Sequence, residues 1–362
     1  MERPILKPIG TPVEELDTPA LVVDLDRFRA NVEAVHSFFA GRRTKVRPFV
    51  GTHRCPTLAH HQLAVDGHAG GVAAGTVGQA EAFVDAGIWD VMITGKAVTA
   101  PKIAALCALA GRATVSIAVD SEDNVSDIST AAAARGVEVG LLVELDTGLG
   151  LTGVASSDAA VGLAKKISEL PGVQMKGLTS YAGPSTAGND GAAALERVVE
   201  AREAMAAAGL STATVAVGST ADYEAAGRAE GVTEVVAGTY ALGDVKYEGV
   251  RGDIEPAAMV LGTVVSTPVE GVAVGDAGMK TNGNDTGLPR AANVPGATVT
   301  YLSAEHFNLD LTDSTVEVGI GDKVWFVPYE IGVTANHFDY IMAARDGRLE
   351  GIFEVAARGR YR

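Results

Sequence analysis

From residue 44 onward, short apolar runs rich in valine, isoleucine and threonine alternate with alanine-rich stretches of helical period. The runs fall at residues 44–50, 70–75, 90–94, 113–119, 137–145, 174–180, 212–217 and 233–239. Apolar positions three and four apart predict helices that include 77–86, 100–110, 124–135, 157–169, 192–208 and 221–229, and another over 25–39 ahead of the first strand. Eight strands alternating with helices close most economically into a parallel (β/α)8 barrel, because open doubly wound sheets usually have fewer strands. After about residue 250 the pattern turns to strand-like runs at 257–266, 271–274, 298–303, 315–318 and 323–327. Dense turn chemistry separates them, in Asn282-Gly283-Asn284-Asp285 and Gly319-Ile320-Gly321-Asp322. The chain therefore reads as α/β, with a barrel over 26–250 and a C-terminal β domain over 251–362 that residues 1–25 complete.

Composition narrows the function. With 362 residues, 47% hydrophobic and 20% charged, the chain has ample material for a large core and is not expected to be disordered. Forty-five acidic against 29 basic residues give a net charge of −16, with no basic cluster denser than Arg42-Arg43. That distribution speaks against nucleic acid, since phosphate contact needs concentrated positive charge. Cys55 and Cys107 are too few for a disulfide framework and lack metal-ligand spacing, which fits a reducing, cytoplasmic setting. Residues 1–17 carry Pro4, Pro8 and Pro12 with acidic residues rather than the apolar core of a signal peptide. No stretch approaches the roughly 18–20 apolar residues of a membrane span. The expectation is a soluble protein acting on a small molecule.

In barrels of this kind chemistry collects at the C-terminal ends of the strands. Val217-Gly218-Ser219-Thr220 after the seventh strand and Ala237-Gly238-Thr239-Tyr240 after the eighth have the makings of an anion site. Glycine allows close backbone approach, and adjacent N–H groups and hydroxyls can bond the oxygens. The alternative is that Ser219 or Thr220 caps the next helix and Gly238 relieves crowding. His53, just past the first strand, is a candidate acid or base, or a satisfied polar residue at the rim. Lys96, directly after the third strand, is a candidate anion clamp, proton donor or imine-forming amine, or a solvated loop lysine. Glu144 and Asp146 share one face by period-two alternation and form a candidate cation pair, or Asp146 opens a turn. In the β domain, Lys280 and Asp285 are polar loop candidates for the substrate pocket, and Glu330, His306 and His337 for a divalent ion, although their separation along the chain weakens that signal.

Several of these stretches together resemble the D-threonine aldolase / D-serine dehydratase family, the metal-assisted branch of the alanine-racemase-like enzymes that use pyridoxal phosphate (PLP). They are Leu16-Asp17-Thr18-Pro19-Ala20-Leu21-Val22-Val23-Asp24-Leu25, Arg47-Pro48, Thr52-His53-Arg54-Cys55-Pro56 and Thr76-Val77-Gly78-Gln79-Ala80-Glu81. Val143-Glu144-Leu145-Asp146-Thr147-Gly148-Leu149-Gly150, Gly218-Ser219-Thr220, Gly238-Thr239-Tyr240, Asp276-Ala277-Gly278-Met279-Lys280, Glu305-His306 and the closing Val355-Ala356-Ala357-Arg358-Gly359 complete the set. They span nearly the whole chain in order. The resemblance implies a barrel plus β domain, a homodimer, PLP at the barrel mouth and a divalent ion (Mn, Mg or Zn) near the substrate hydroxyl.

The departures fall on chemistry. The family's first-strand motif looks like Arg-Pro-His-X-Lys-Thr-His-Lys; here Phe49 replaces its first histidine, Gly51 the imine-forming lysine and Arg54 its last lysine. Leu151 stands for a cofactor-bonding arginine, Tyr181-Ala182-Gly183-Pro184 for Tyr-X-Gly-His, and Glu330 and Gly332 for the metal pair. A glycine at position 51 removes the covalent electron sink and its base together. The sequence thus predicts a PLP-independent or atypical lyase of aldolase or dehydratase type, acting on a small anionic hydroxy or amino acid, with metal assistance as one route. His53, Lys96 and Tyr181 are its candidate catalytic residues, and Gly51, Thr52, Arg54, Lys280 and Asp285 line its pocket. Alternatives are PLP held through a relocated lysine, a metal-dependent hydrolase, and a ligand-binding pseudoenzyme.

Overall fold

The computed structural model describes residues 7–181 and 191–362. Strand β1 (Ala20–Asp24) precedes a helix, Leu25–Phe39, and belongs to a sheet completed late in the chain. Eight strands then alternate with helices: β2 (Lys45–Pro48), β3 (Val72–Ala74), β4 (Asp90–Ile93), β5 (Thr114–Val119), β6 (Val139–Glu144), β7 (Val173–Thr179), β8 (Thr214–Val217) and β9 (Glu234–Ala237). They pair in parallel in the order β2-β9-β8-β7-β6-β5-β4-β3. An isolated parallel bridge, Phe49 to Ala73, nearly closes the ring, so the predicted barrel is present. Its interior is filled rather than open. Ala73, Met92, Leu142 and Ala216 pack together there with Phe49 and Val236 against them, small side chains making room for large ones.

Local signals start the barrel helices. Thr76, Ser121 and Ser156 accept hydrogen bonds from the backbone N–H of Gln79, Asn124 and Ala159, each satisfying an otherwise orphaned donor.

The second sheet contains β10 (Ala258–Ser266), β11 (Val272–Gly275), β12 (Arg290–Ala291), β13 (Thr298–Leu302), β14 (Phe307–Asp310), β15 (Lys323–Val327), β16 (Tyr340–Arg345) and β17 (Arg348–Glu354). Its order is β13-β14-β11-β10-β1-β16-β17, with β15 pairing β10 and β12. The early strand β1 lies antiparallel to β10 and parallel to β16, which places it within this sheet. Residues 315–318 form no strand, because that run finds no ladder partner and Val316 stays exposed. Strands β12, β14, β16 and β17 go beyond the runs that the sequence pattern picks out; β16 and β17 are a hairpin turning at Asp346-Gly347, a strong two-residue turn signal.

Clustering of contacts divides the chain into a barrel unit (Ala34–Gly51, Ala59–Gly238, Gly359–Arg362) and a sheet unit (the described part of Met1–Glu33, Thr52–Leu58, Thr239–Arg358). Among the described residues no helix is long and apolar enough to cross a membrane.

Candidate functional site

The barrel gathers a charged cluster at the C-terminal ends of three adjacent strands. Lys96 follows β4, Asp120 follows β5 and Glu144 ends β6. The Lys96 ammonium donates a hydrogen bond to Glu144 Oε2 and lies 4.0 Å from Asp120 Oδ2. The lysine and glutamate side chains are only 15% and 11% exposed, so the pair is far better shielded than a surface ion pair. The loop after β6 folds over it: Thr152 Oγ1 donates to Glu144 Oε1 at 2.9 Å and Gly153 N–H to Asp120 Oδ2 at 2.9 Å.

Glu144 and Asp146 therefore do not act as a carboxylate pair. Asp146 Oδ1 accepts the N–H groups of Gly148 and Gly150 at 2.9 and 3.2 Å, and those bonds, led by Gly148, hold its carboxyl below the usual range. It is a turn residue. Tyr181, just beyond β7, is 51% exposed; Ala182, Gly183 and Pro184 lie outside the described residues.

At the first barrel strand the structure gives a reason for the missing lysine to stay missing. A Cβ added to Gly51 would lie 2.6 Å from Cε1 and Cζ of Phe49 and 3.4 Å from Gln79 Oε1, which accepts the Gly75 N–H. The Phe49 ring is itself packed into the barrel interior. Residue 51 offers no amine, and the space its side chain would cross is filled. Lys96, the candidate replacement, is committed to Glu144. These residues do not fit a PLP held through position 51.

After β8, Ser219 turns back on its own chain. Its backbone N–H and its hydroxyl both donate to Asp222 Oδ1, at 2.7 and 2.8 Å, while its Oγ accepts the Ala221 N–H at 3.1 Å. Thr220 is buried, and Gly238 closes β9.

The remaining candidates belong to the sheet unit. Thr52 and His53 are buried, and His53 Nδ1 accepts the Cys55 N–H at 3.0 Å, which puts the ring proton on Nε2. Half of its acid-base capacity thus goes into a turn. Arg54 has a left-handed backbone, φ +55°, and donates to the Gly332 carbonyl, a strained conformation held by that contact and by Ala357 N–H bonding its own carbonyl. Thr239 and Tyr240 form a short 3-10 turn, with Tyr240 fully buried. Lys280 pairs with Glu305 at 2.5 Å on the surface, and Asp285 is exposed.

The expected metal ligands do not come together. Glu330 accepts from Lys246 at 3.2 Å and Thr286 at 3.3 Å; His306 is exposed beside the β13–β14 turn. Burial lowers the pKa of His337, with Asp285 opposing, and its Nδ1 has no hydrogen-bond partner. Among the described residues no group of three or more His, Cys, Asp or Glu is placed to hold a metal ion. Beside Glu330, buried Asp244 accepts the N–H groups of Ile331 and Tyr247, and burial pushes its carboxyl up to about 7. Thr152 and Asp222 are the polar groups that sequence reasoning left out of the candidate site, whereas Asp120 stands at a strand end, where barrel chemistry is expected.

A parallel barrel with its polar groups at the strand ends, joined to a sheet that recruits the N-terminal strand, is the architecture of alanine-racemase-like proteins. Residues 23–246 match the family described as alanine racemase, N-terminal domain, and 257–344 the putative serine dehydratase domain. A D-threonine aldolase of an Arthrobacter species is 33% identical over 97% of this chain and 95% of its own. The D-threo-3-hydroxyaspartate dehydratase of a Delftia species is 29% identical over 92% and 96%. The crystal structure of D-threonine aldolase from Filomicrobium marinum superposes with a TM-score of 0.91 at 32% identity, covering 98% of this chain and all of that one. The chain belongs to the D-threonine aldolase / D-serine dehydratase family, whose named members are lyases.

Proposed function

We propose that this chain is a lyase that works without lysine-bound PLP, removing water from a small β-hydroxy amino acid at the barrel mouth. The observation that carries the reading is the shielded Lys96–Glu144 pair with Asp120 beside it. Two carboxylates against one ammonium leave the cluster net negative, which suits the ammonium end of an amino acid better than a simple hydroxy acid. The relatives are named for substrates of that chemistry, D-threonine and D-threo-3-hydroxyaspartate.

In this reading Asp120 holds the substrate ammonium. Glu144 takes the Cα proton, a Cα–Cβ double bond forms, the Cβ–O bond breaks, and Lys96 protonates the departing hydroxyl as water. Loss of proton and hydroxyl together avoids a free carbanion, for which this site has no electron sink. The protonated Glu144 then returns its proton to Lys96, and the enamine product tautomerises and hydrolyses to a 2-oxo acid and ammonia. The route uses none of His306, Glu330 and His337, which do not converge. We take the working unit to be a cytoplasmic homodimer, in keeping with the resemblance and with two buried free thiols; a monomer mass by light scattering removes the dimer.

A second reading has its own support. Both Glu144 oxygens already accept hydrogen bonds, from Lys96 and Thr152, so the atoms that would take the Cα proton are engaged, which favours a protein that binds an amino acid without turnover.

The test begins with borohydride reduction of the PLP-treated protein and peptide mapping, where no lysine adduct is expected. D-Threonine and D-threo-3-hydroxyaspartate are then assayed for ammonia and 2-oxo acid. Glu144→Gln and Lys96→Met, checked for folding by thermal melting, should each lower turnover by about 100-fold or more. A reducible aldimine, or full activity in either variant, overturns the mechanism; saturable binding with no ammonia released selects the second reading.

A further inference from the structure

The turn after β8 was read from sequence as half of an anion site, and the structure shows what its donors do. The backbone N–H and the hydroxyl of Ser219 both donate to Asp222 Oδ1, which closes the turn ahead of the helix Tyr223–Arg228. Gly218, at φ +86°, brings the backbone so close that an added Cβ would stand 3.0 Å from Ala226 and 3.5 Å from the same Asp222 oxygen. A half-open hollow beside it, lined by Thr147, Ser180, Val217, Gly218 and Asp222 among others, holds about 10 Å³, room for about one water, and Asp222 also borders a wider cleft of about 680 Å³. No lysine or arginine is among the described residues lining either.

We propose that Asp222 is an internal stand-in for the anion, a specificity residue that bars phosphate from the end of β8, so that the ligand of this barrel carries no phosphate there. The proposal rests on the reading of a barrel that works without bound PLP and deepens it by naming the ligand class. Two physical terms act in one direction. The Ser219 donors that a phosphate would need there are already occupied. A carboxylate stands where the negative charge would have to settle, with no lysine or arginine among the described lining residues to offset the repulsion. The Gly-Ser-Thr run keeps the look of a phosphate turn while Ser219 closes a turn onto its own chain.

The experiment is a titration of the whole protein with inorganic phosphate, followed by calorimetry and phosphorus NMR line width. Wild type is expected to show no saturable binding up to about 10 mM, weaker than any useful affinity. Asp222→Ala frees the Ser219 donors and the space, and is expected to bind phosphate at least roughly tenfold more tightly than wild type. Asp222→Asn keeps an oxygen for Ser219 and deletes only the charge, so it folds if the cap is what matters and shows a smaller gain. Saturable wild-type binding near about 1 mM or tighter overturns the proposal. So does the absence of any gain in both variants when their circular dichroism matches wild type. A lysine aldimine in the reduction experiment would remove the reading under Proposed function without touching the wild-type phosphate result, whereas wild-type phosphate binding with no aldimine would remove this inference alone.

Discussion

Gly51 and Phe49 act as one device. The ring of Phe49 packs among Ala73, Met92, Leu142 and Ala216 and takes the volume that any side chain at 51 would enter. Gly51→Lys alone should therefore lower stability by about 1–3 kcal/mol through overpacking and form no aldimine with added PLP. Adding Phe49→Ala should recover part of that loss in a thermal melt. An undiminished melting temperature for Gly51→Lys, with a reducible adduct at 51, would show that the ring is no barrier. The same scale governs His53, whose Nδ1 is spent on the Cys55 N–H. A histidine next to a strand end reads as chemistry in one dimension, and only its hydrogen bond separates a turn cap from a base.

Between elements, the opposite end of the barrel is held by one buried arginine. Arg47 on β2 reaches Glu234 on β9 with two bonds, at 2.5 and 2.9 Å, and Asp90 on β4 at 2.8 Å. Because Arg47 and Glu234 are both shielded, at 7% and 13% exposed, while Asp90 is half-exposed, Arg47→Met should destabilise by about 3 kcal/mol, chiefly by leaving Glu234 without its cation. Urea unfolding measures this, and a loss under about 1 kcal/mol would mean that the network adds little beyond packing. Element order was readable in advance here. The eight strands follow from short apolar runs rich in valine, isoleucine and threonine and the helices from period-3.6 spacing, and strand ends point to Lys96 and Glu144. Their partnership was not readable, since Lys96 meets a carboxylate 48 positions away in preference to solvent.

At the scale of the whole molecule, pH sets two buried groups against each other: Asp244, held up to about 7, favours the folded state as pH falls, and His36 opposes it. His36 is fully buried, and that burial lowers its pKa to about 4, against an opposing hydrogen bond to the Val65 carbonyl. Its folded value lies below the unfolded 6.5, so the unfolded chain binds the proton first. Its contribution is complete above pH 6.5 and fades as pH falls through 4, by about 3 kcal/mol at most. Because Asp244 acts the other way over the same window, the readout is the difference: the wild-type urea midpoint should fall relative to that of His36→Leu as pH drops from 6.5 to 4, and a constant difference would show that His36 carries none of the acid response. The sequence by itself determined the elements, the barrel with a strand-rich second part, and the strand ends where polar groups gather, because those follow from periodicities over a few neighbouring residues. Tertiary structure alone decided that Glu144 faces Lys96 while Asp146 closes a turn, that Asp222 claims the donors of Ser219, and that Glu330, His306 and His337 stay apart. Each of those depends on which side chains the closed sheets and their loops bring within about 3 Å, a distance that sequence spacing does not encode.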